Sequence, residues 1–186
     1  MTLPNLLSLV RLLLSPVLLV LAWLGYADIF IGALILAFLL DLIDGPIARK
    51  FHQVSRLGPK LDSCADFFIY VSFLIGAYLL WPHIVKRELI FIILVGLSII
   101  LPALVGFLKF RKATSYHTWL VKCAAVTMAP GAILLFINGP TWPFYMATGI
   151  SVLAALEEIA ITLIIDTPQS DVGTLIHVLR NKKNTL

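Results

Sequence analysis

Charge is what this chain has least of. Asp, Glu, Lys and Arg make up 13% of its 186 residues, hydrophobic residues 60%, and the mean hydropathy is +1.00. Soluble domains carry about 25% charged residues, so this balance excludes a sizeable soluble domain and describes an all-α integral membrane protein. Cysteine is almost absent as well. Cys64 and Cys123 stand alone, which excludes a disulfide framework or a cysteine zinc site and leaves two reduced packing residues. No internal repeat, low-complexity tract or long polar linker breaks the sequence, so one domain, 1–186, is expected. The start, Met1-Thr-Leu-Pro-Asn5, lacks the basic segment of a secretory signal, and the first apolar run is expected to be retained as a span. The net charge of +4, on a surface mostly facing lipid, points to topology and anionic head groups, not to nucleic acid.

What is present is a series of apolar runs. At about 20 residues per span, six helices use roughly 120 residues, and six runs are found. They are Asn5–Leu24, closed by Gly25; Ile29–Asp44; Leu61–Leu80, stopped by Trp81-Pro82; Leu89–Leu108; His117 to before Asn138-Gly139-Pro140; and Trp142–Ile165. A polar tail follows, in which Asp171–Arg180 is expected to form a short surface helix. With six spans, both termini and the 2–3 and 4–5 connections share one side. That side takes every Lys and Arg except Lys86 and Arg87, so it is cytoplasmic by the positive-inside rule. Trp23, Trp81 and Trp142 fall at the opposite interface, where an aromatic belt belongs.

Against this background, four acids are out of place. Asp41 and Asp44 are spaced i,i+3 and Asp62 and Asp66 i,i+4, so on two helices each pair shares one face. Both pairs interrupt or border apolar runs where a charge is expensive. Converging carboxylates repel one another unless a cation lies among them, and oxygen-only ligands suit a hard divalent ion, Mg²⁺ first, with Mn²⁺ or Ca²⁺ behind it. A pair of metal ions at the cytoplasmic ends of helices 2 and 3 is the expectation.

Between the pairs lie Gly45, Ala48, Arg49 and Gly58, giving Asp-x2-Asp-Gly-x2-Ala-Arg-x8-Gly-x3-Asp-x3-Asp. This resembles the signature of the CDP-alcohol phosphotransferase family, membrane enzymes that build phospholipid head groups, and every signature position is filled. The resemblance implies a CDP-linked donor such as CDP-diacylglycerol, a small polar alcohol as acceptor, and release of CMP. It also implies Mg²⁺ or Mn²⁺, two ions, held by Asp41, Asp44, Asp62 and Asp66, with Asp66 also the base that takes the acceptor's proton. Gly45, Ala48, Arg49 and Gly58 are then the CDP-binding positions: the glycines permit close approach and the arginine neutralises diphosphate charge. A homodimer in a bacterial inner or cell membrane is implied by the family alone.

Other polar residues fall on the same side. Arg11 and Asn5 are candidates to face the motif and bind a phosphate or ribose; the alternative for Arg11 is an arginine snorkelling to the interface. Lys109, Arg111, Lys112, His117 and Lys122 form a cationic group suited to an anionic acceptor; the alternative is that the cluster only fixes topology, which explains Lys109, Arg111 and Lys112 but not Lys122, placed deeper in the fifth span. Glycerol-3-phosphate is the acceptor this favours; inositol, inositol phosphate, serine and choline-type alcohols are the alternatives. Glu157 and Glu158, inside the sixth span, call for a partner such as Arg11, Lys122 or His117. Two rival readings are an intramembrane prenyltransferase, which also uses aspartate-bound Mg²⁺ but would show two separate aspartate-rich motifs, and a cation transporter. The transporter would need acids at both interfaces and a polar path between them.

Overall fold

The structure is a computed structural model. It describes residues 3–50, 58–111, 116, 118–165 and 174–175, with the side chains of 3–4, 44–50 and 59–60 outside the description. All regular structure in these residues is helical, and the packing divides the chain into two units, Met1–Lys86 and Arg87–Leu186.

The first unit holds α1 (Leu3–Trp23), α2 (Ala27–Lys50) and α3 (Gly58–Leu80), followed by the short α4 (Pro82–Arg87). Helix α1 packs against both α2 and α3, while α2 and α3 touch each other only sparsely. The reason is legible in α1. Ser8, Arg11, Ser15, Leu18 and Ala22 are its buried residues, and their alternating spacing of three and four traces one stripe of a helix. Helix α2 answers with Phe30, Leu34 and Ala37, and α3 with Ala65, Ile69, Ser72 and Ala77. Small residues recur along the seam, as close packing of membrane helices requires. Gly25, at φ +78°, makes the left-handed turn that lets α2 start four residues after α1 ends.

The second unit holds α5 (Leu89–Phe110), α6 (Trp119–Phe136) and α7 (Trp142–Ile164), with α7 packed against both others. Phe91 on α5 stacks on Tyr145 of α7 at 4.3 Å between ring centroids. At the other end of these helices, Tyr116, Ile161 and Ile165 form a buried cluster with Phe110 and Leu175 against it. Thr118 caps α6, its hydroxyl accepting from Val121 N–H at 3.3 Å.

The outer faces are apolar: Leu13, Phe67, Ile90, Ile99, Val126 and Leu163 are all well exposed. Hydroxyls within the helices turn inward on their own backbones, Ser98 donating to Val95 O and Ser151 to Ala147 O, which leaves few polar atoms for lipid to meet. Among the described residues, α1, α3, α5, α6 and α7 are long and apolar enough to cross a membrane, and the chain is a multi-pass membrane protein.

The helices depart from the sequence expectation in three places. Helix α2 does not stop at Asp44 but runs through Gly45 and Ala48 to Lys50; the acids that lower its hydropathy leave its backbone helical. Pro82 opens the extra short helix α4, as proline does at a first turn. Helix α6 starts at Trp119, not His117, so Lys122 sits in its first turn and is exposed instead of deep. The tail helix expected over Asp171–Arg180 lies outside the described residues except for Thr174, which is not helical, and Leu175, which is.

Candidate active site

The seam of the first unit changes character along its length. At one end it is apolar, with Leu18, Phe30 and Leu34 fully buried. At the other, the same stripes carry Arg11 on α1 and Asp41 on α2, since Asp41 follows Ala37 by one turn. Asp62 and Asp66 on α3 lie one turn apart on the face that α1 covers, with Ala65 buried between them. The fold therefore brings two acid-bearing helices to one basic residue on the helix between them.

Nη1 of Arg11 is 2.8 Å from Asp41 Oδ1 and donates to Asp62 Oδ1, also at 2.8 Å. Nη2 donates to Asp66 Oδ1. The arginine side chain is 3% exposed and the three carboxylates 46%, 39% and 38%, so the cation is sealed beneath acids that open outward. Cys64 is exposed and free, as its position a hundred degrees or more of helix rotation from either acid implies.

Three carboxylates, Asp41, Asp62 and Asp66, each place an oxygen within 4.8 Å of the others. Oxygens that share one Mg²⁺ at about 2.1 Å are about 3–4.2 Å apart, so the three carboxylates would have to draw inward to share an ion, and an all-carboxylate donor set is the chemistry such an ion prefers. The residues fit the metal the motif calls for. Asp44 lies one turn after Asp41 on α2, with its side chain outside the description, as are those of Ala48 and Arg49; Gly45 shares that stretch of helix and Gly58 opens α3. Asn5, half-buried, lies below Arg11 on α1.

The cationic group belongs to the second unit and is less uniform than its sequence suggests. Lys109 Nζ donates to the carbonyls of Thr162, Leu163 and Ile165 at 3.0, 3.0 and 2.8 Å. All three of its donors close the C-terminal end of α7, whose last carbonyls have no helical partner, so Lys109 is a helix cap. Arg111 is exposed and ends α5 in a left-handed conformation at φ 54°. Lys122 Nζ stands 5.1 Å from the Trp119 ring centroid, and Lys112 and His117 lie outside the described residues. Glu157 Oε1 accepts from the backbone N–H of Leu175 at 3.0 Å. This carboxylate is engaged with the tail, and its contact there is none of the basic side chains suggested for it. The hydroxyls of Tyr116 and Thr162 meet at 3.0 Å.

Sequence reasoning missed two of these roles. The burial of Arg11 was signalled by its place in the three-four stripe; the Lys109 cap had no local signal, because its acceptors lie more than fifty residues away.

The described residues thus form a helical scaffold with five helices long and apolar enough to cross a membrane, and three acids from two of its helices are clustered on one arginine. The profile of the CDP-alcohol phosphatidyltransferase family matches residues 1–164, and the chain belongs to that family. The match runs through both packed units. Among curated relatives, a CDP-diacylglycerol–glycerol-3-phosphate 3-phosphatidyltransferase of Aquifex aeolicus is 39% identical over 61% of this chain and 64% of its own length. A cardiolipin synthase (CMP-forming) of Streptomyces coelicolor is 34% identical over 59% of this chain and 52% of its own. A CDP-diacylglycerol–glycerol-3-phosphate 3-phosphatidyltransferase of Pseudomonas fluorescens is 27% identical over 82% and 81%. The first two matches thus span less than two thirds of those relatives. No solved structure matches the chain.

Proposed function

We propose that this protein transfers the phosphatidyl group of CDP-diacylglycerol to glycerol-3-phosphate, forming phosphatidylglycerol phosphate and CMP. The observation that carries the reading is the convergence of Asp41, Asp62 and Asp66 from two helices within 4.8 Å, inside a chain of this family. The relatives named for the glycerol-3-phosphate reaction supply the acceptor. We take 1–186 as one enzyme domain of six spans, α2 being the sixth, with both termini and the acids on the cytoplasmic side, as the distribution of Lys and Arg favours. The family's homodimer is part of the same proposal.

In this mechanism Asp41, Asp44, Asp62 and Asp66 hold the divalent ions. When bound, these supply Lewis acidity and charge neutralisation at the diphosphate. Arg49 pairs with the diphosphate, and Gly45, Ala48 and Gly58 let the nucleotide approach α2 and α3 closely. Asp66 takes the proton of the acceptor hydroxyl. The hydroxyl oxygen attacks the phosphorus that carries diacylglycerol, the bond from that phosphorus to the CMP oxygen breaks, and CMP leaves with the electron pair. No residue becomes phosphorylated. Arg111, Lys112, His117 and Lys122 are the candidates that charge alone offers for an anionic acceptor.

A second reading concerns only the acceptor. Similarity to CMP-forming cardiolipin synthases favours phosphatidylglycerol, which also presents a glycerol hydroxyl next to a phosphate. Purified protein incubated with radiolabelled CDP-diacylglycerol and Mg²⁺ is offered glycerol-3-phosphate, phosphatidylglycerol, inositol, inositol phosphate and serine in turn, and the lipid products are separated. Phosphatidylglycerol phosphate is expected. Cardiolipin alone would move the assignment to the second reading, and a product with any other alcohol would overturn both.

A further inference from the structure

Among the described residues of the first unit Arg11 is the most deeply buried charge, and its two terminal nitrogens contact three acids on two helices. Those two helices barely touch each other. Three carboxylates brought this close repel one another unless a cation lies among them, and the guanidinium is the cation that the fold itself provides. A planar fork with five donors reaches three carboxylates at once, which a single ammonium point charge does not.

The contacts of Arg11 fall on the same three carboxylates that fit a divalent ion. Arg11 already takes an Oδ1 of each of the three, and a guanidinium and a divalent cation drawn to the same three side chains repel each other. The two cations therefore oppose one another at this cluster. Resting on the metal-site reading above, we infer that Arg11 is a built-in counter-ion that clasps α2 and α3 together in the metal-free protein and is displaced from the carboxylates as the divalent ions enter. The displaced guanidinium remains on the helix that packs between the two acid-bearing helices, where an anionic diphosphate is the group it is suited to receive. Arg11 is on this account a positioning residue. It sets the metal affinity of the empty enzyme low and keeps the site assembled until metal and substrate arrive.

Direct Mn²⁺ binding, without nucleotide or lipid substrate, tests this independently of turnover. Full-length protein in detergent is titrated with Mn²⁺ by electron paramagnetic resonance, and its melting temperature is recorded in EDTA and in excess Mn²⁺. Wild type is compared with Arg11→Gln, Arg11→Lys and Asp41→Asn. Arg11→Gln is expected to bind Mn²⁺ about tenfold more tightly or better, to melt lower than wild type in EDTA, and to recover in Mn²⁺. Arg11→Lys keeps the charge but not the fork, and is expected to tighten Mn²⁺ binding about threefold; this separates displacement of the bridging geometry from simple loss of positive charge. An Arg11→Gln affinity equal to or weaker than wild type overturns the inference. If Arg11→Gln does not fold, an Arg11→Lys affinity equal to wild type overturns it instead. Wild type with no saturable Mn²⁺ site that Asp41→Asn weakens would overturn the metal-site reading and the inference together, whereas a wild-type site unaffected by either Arg11 variant removes the inference alone.

Discussion

The ring of Phe30 on α2 fills the space beside Gly76 on α3. A Cβ placed on Gly76 would stand 2.4 Å from Phe30 Cε2 and Cζ, and the ring is held by full burial and by an edge contact to Trp81 at 6.0 Å. This is one of the few direct meetings of α2 and α3, at the end of the seam far from the acids.

Gly76→Ala should therefore destabilise the protein by about 1–3 kcal/mol, the usual range for overpacking a fitted contact. A lower melting temperature in detergent is the expected reading. Combining it with Phe30→Leu, which shortens the group in the way, should restore part of the loss. A Gly76→Ala melting temperature equal to wild type would show that α3 accommodates a side chain there and that the contact is not tight.

Removing the cap on α7 separates structure from substrate binding within the cationic group. Lys109→Met leaves the Thr162, Leu163 and Ile165 carbonyls without their ammonium donor. A loss of about 0.3–1 kcal/mol is expected, as for a cation at an exposed helix C-terminus, together with an unchanged acceptor KM in the protein that folds. A selective rise in acceptor KM would return Lys109 to the acceptor site.

Arg111 and Lys122 should behave in the opposite way. Like Lys109 both are exposed, but among the described residues neither side chain caps a helix end, so Arg111→Gln and Lys122→Gln should melt near wild type. Each should raise the KM for glycerol-3-phosphate, roughly tenfold for each ~1.4 kcal/mol lost, with the KM for CDP-diacylglycerol little changed. Unchanged acceptor KM in both variants would leave the cationic group with topology alone.

The four acids should tolerate amides as far as folding goes but not as far as chemistry goes. Asp41→Asn, Asp44→Asn, Asp62→Asn and Asp66→Asn are each expected to abolish turnover while leaving the extracted protein intact, because a neutral amide is a poor ligand for a hard cation. Wild-type turnover in any one of them at saturating Mg²⁺ removes that residue from the site.

Much of this was legible in the chain because the informative residues are expensive where they stand. Asp41, Asp62 and Asp66 could be grouped from their spacing and their apolar surroundings, and the structure brings them together. Five of the six expected spans match long apolar helices, each to within a few residues of α1, α3, α5, α6 and α7. What escaped the sequence depends on tertiary neighbours. Arg11 had two readings, as a phosphate or ribose ligand and as a snorkelling side chain; its contacts with three acids follow from α1 lying between α2 and α3, which no local pattern states. Among the described residues, Glu157 accepts from the backbone N–H of Leu175, a donor without any side-chain signal. Helix α2 ran on past Asp44 because charge ends a hydrophobic run without ending a helix.

The central claim is that clustered aspartates bind divalent ions that act on a CDP-linked lipid. Its most direct test is CMP release from CDP-diacylglycerol labelled in the cytidine, measured with glycerol-3-phosphate in Mg²⁺, after exhaustive chelation by EDTA, and after Mg²⁺ or Mn²⁺ is returned. The account predicts acceptor-dependent CMP release in Mg²⁺, none in EDTA, and full recovery with either ion. CMP release that continues at the same rate after exhaustive chelation would contradict it.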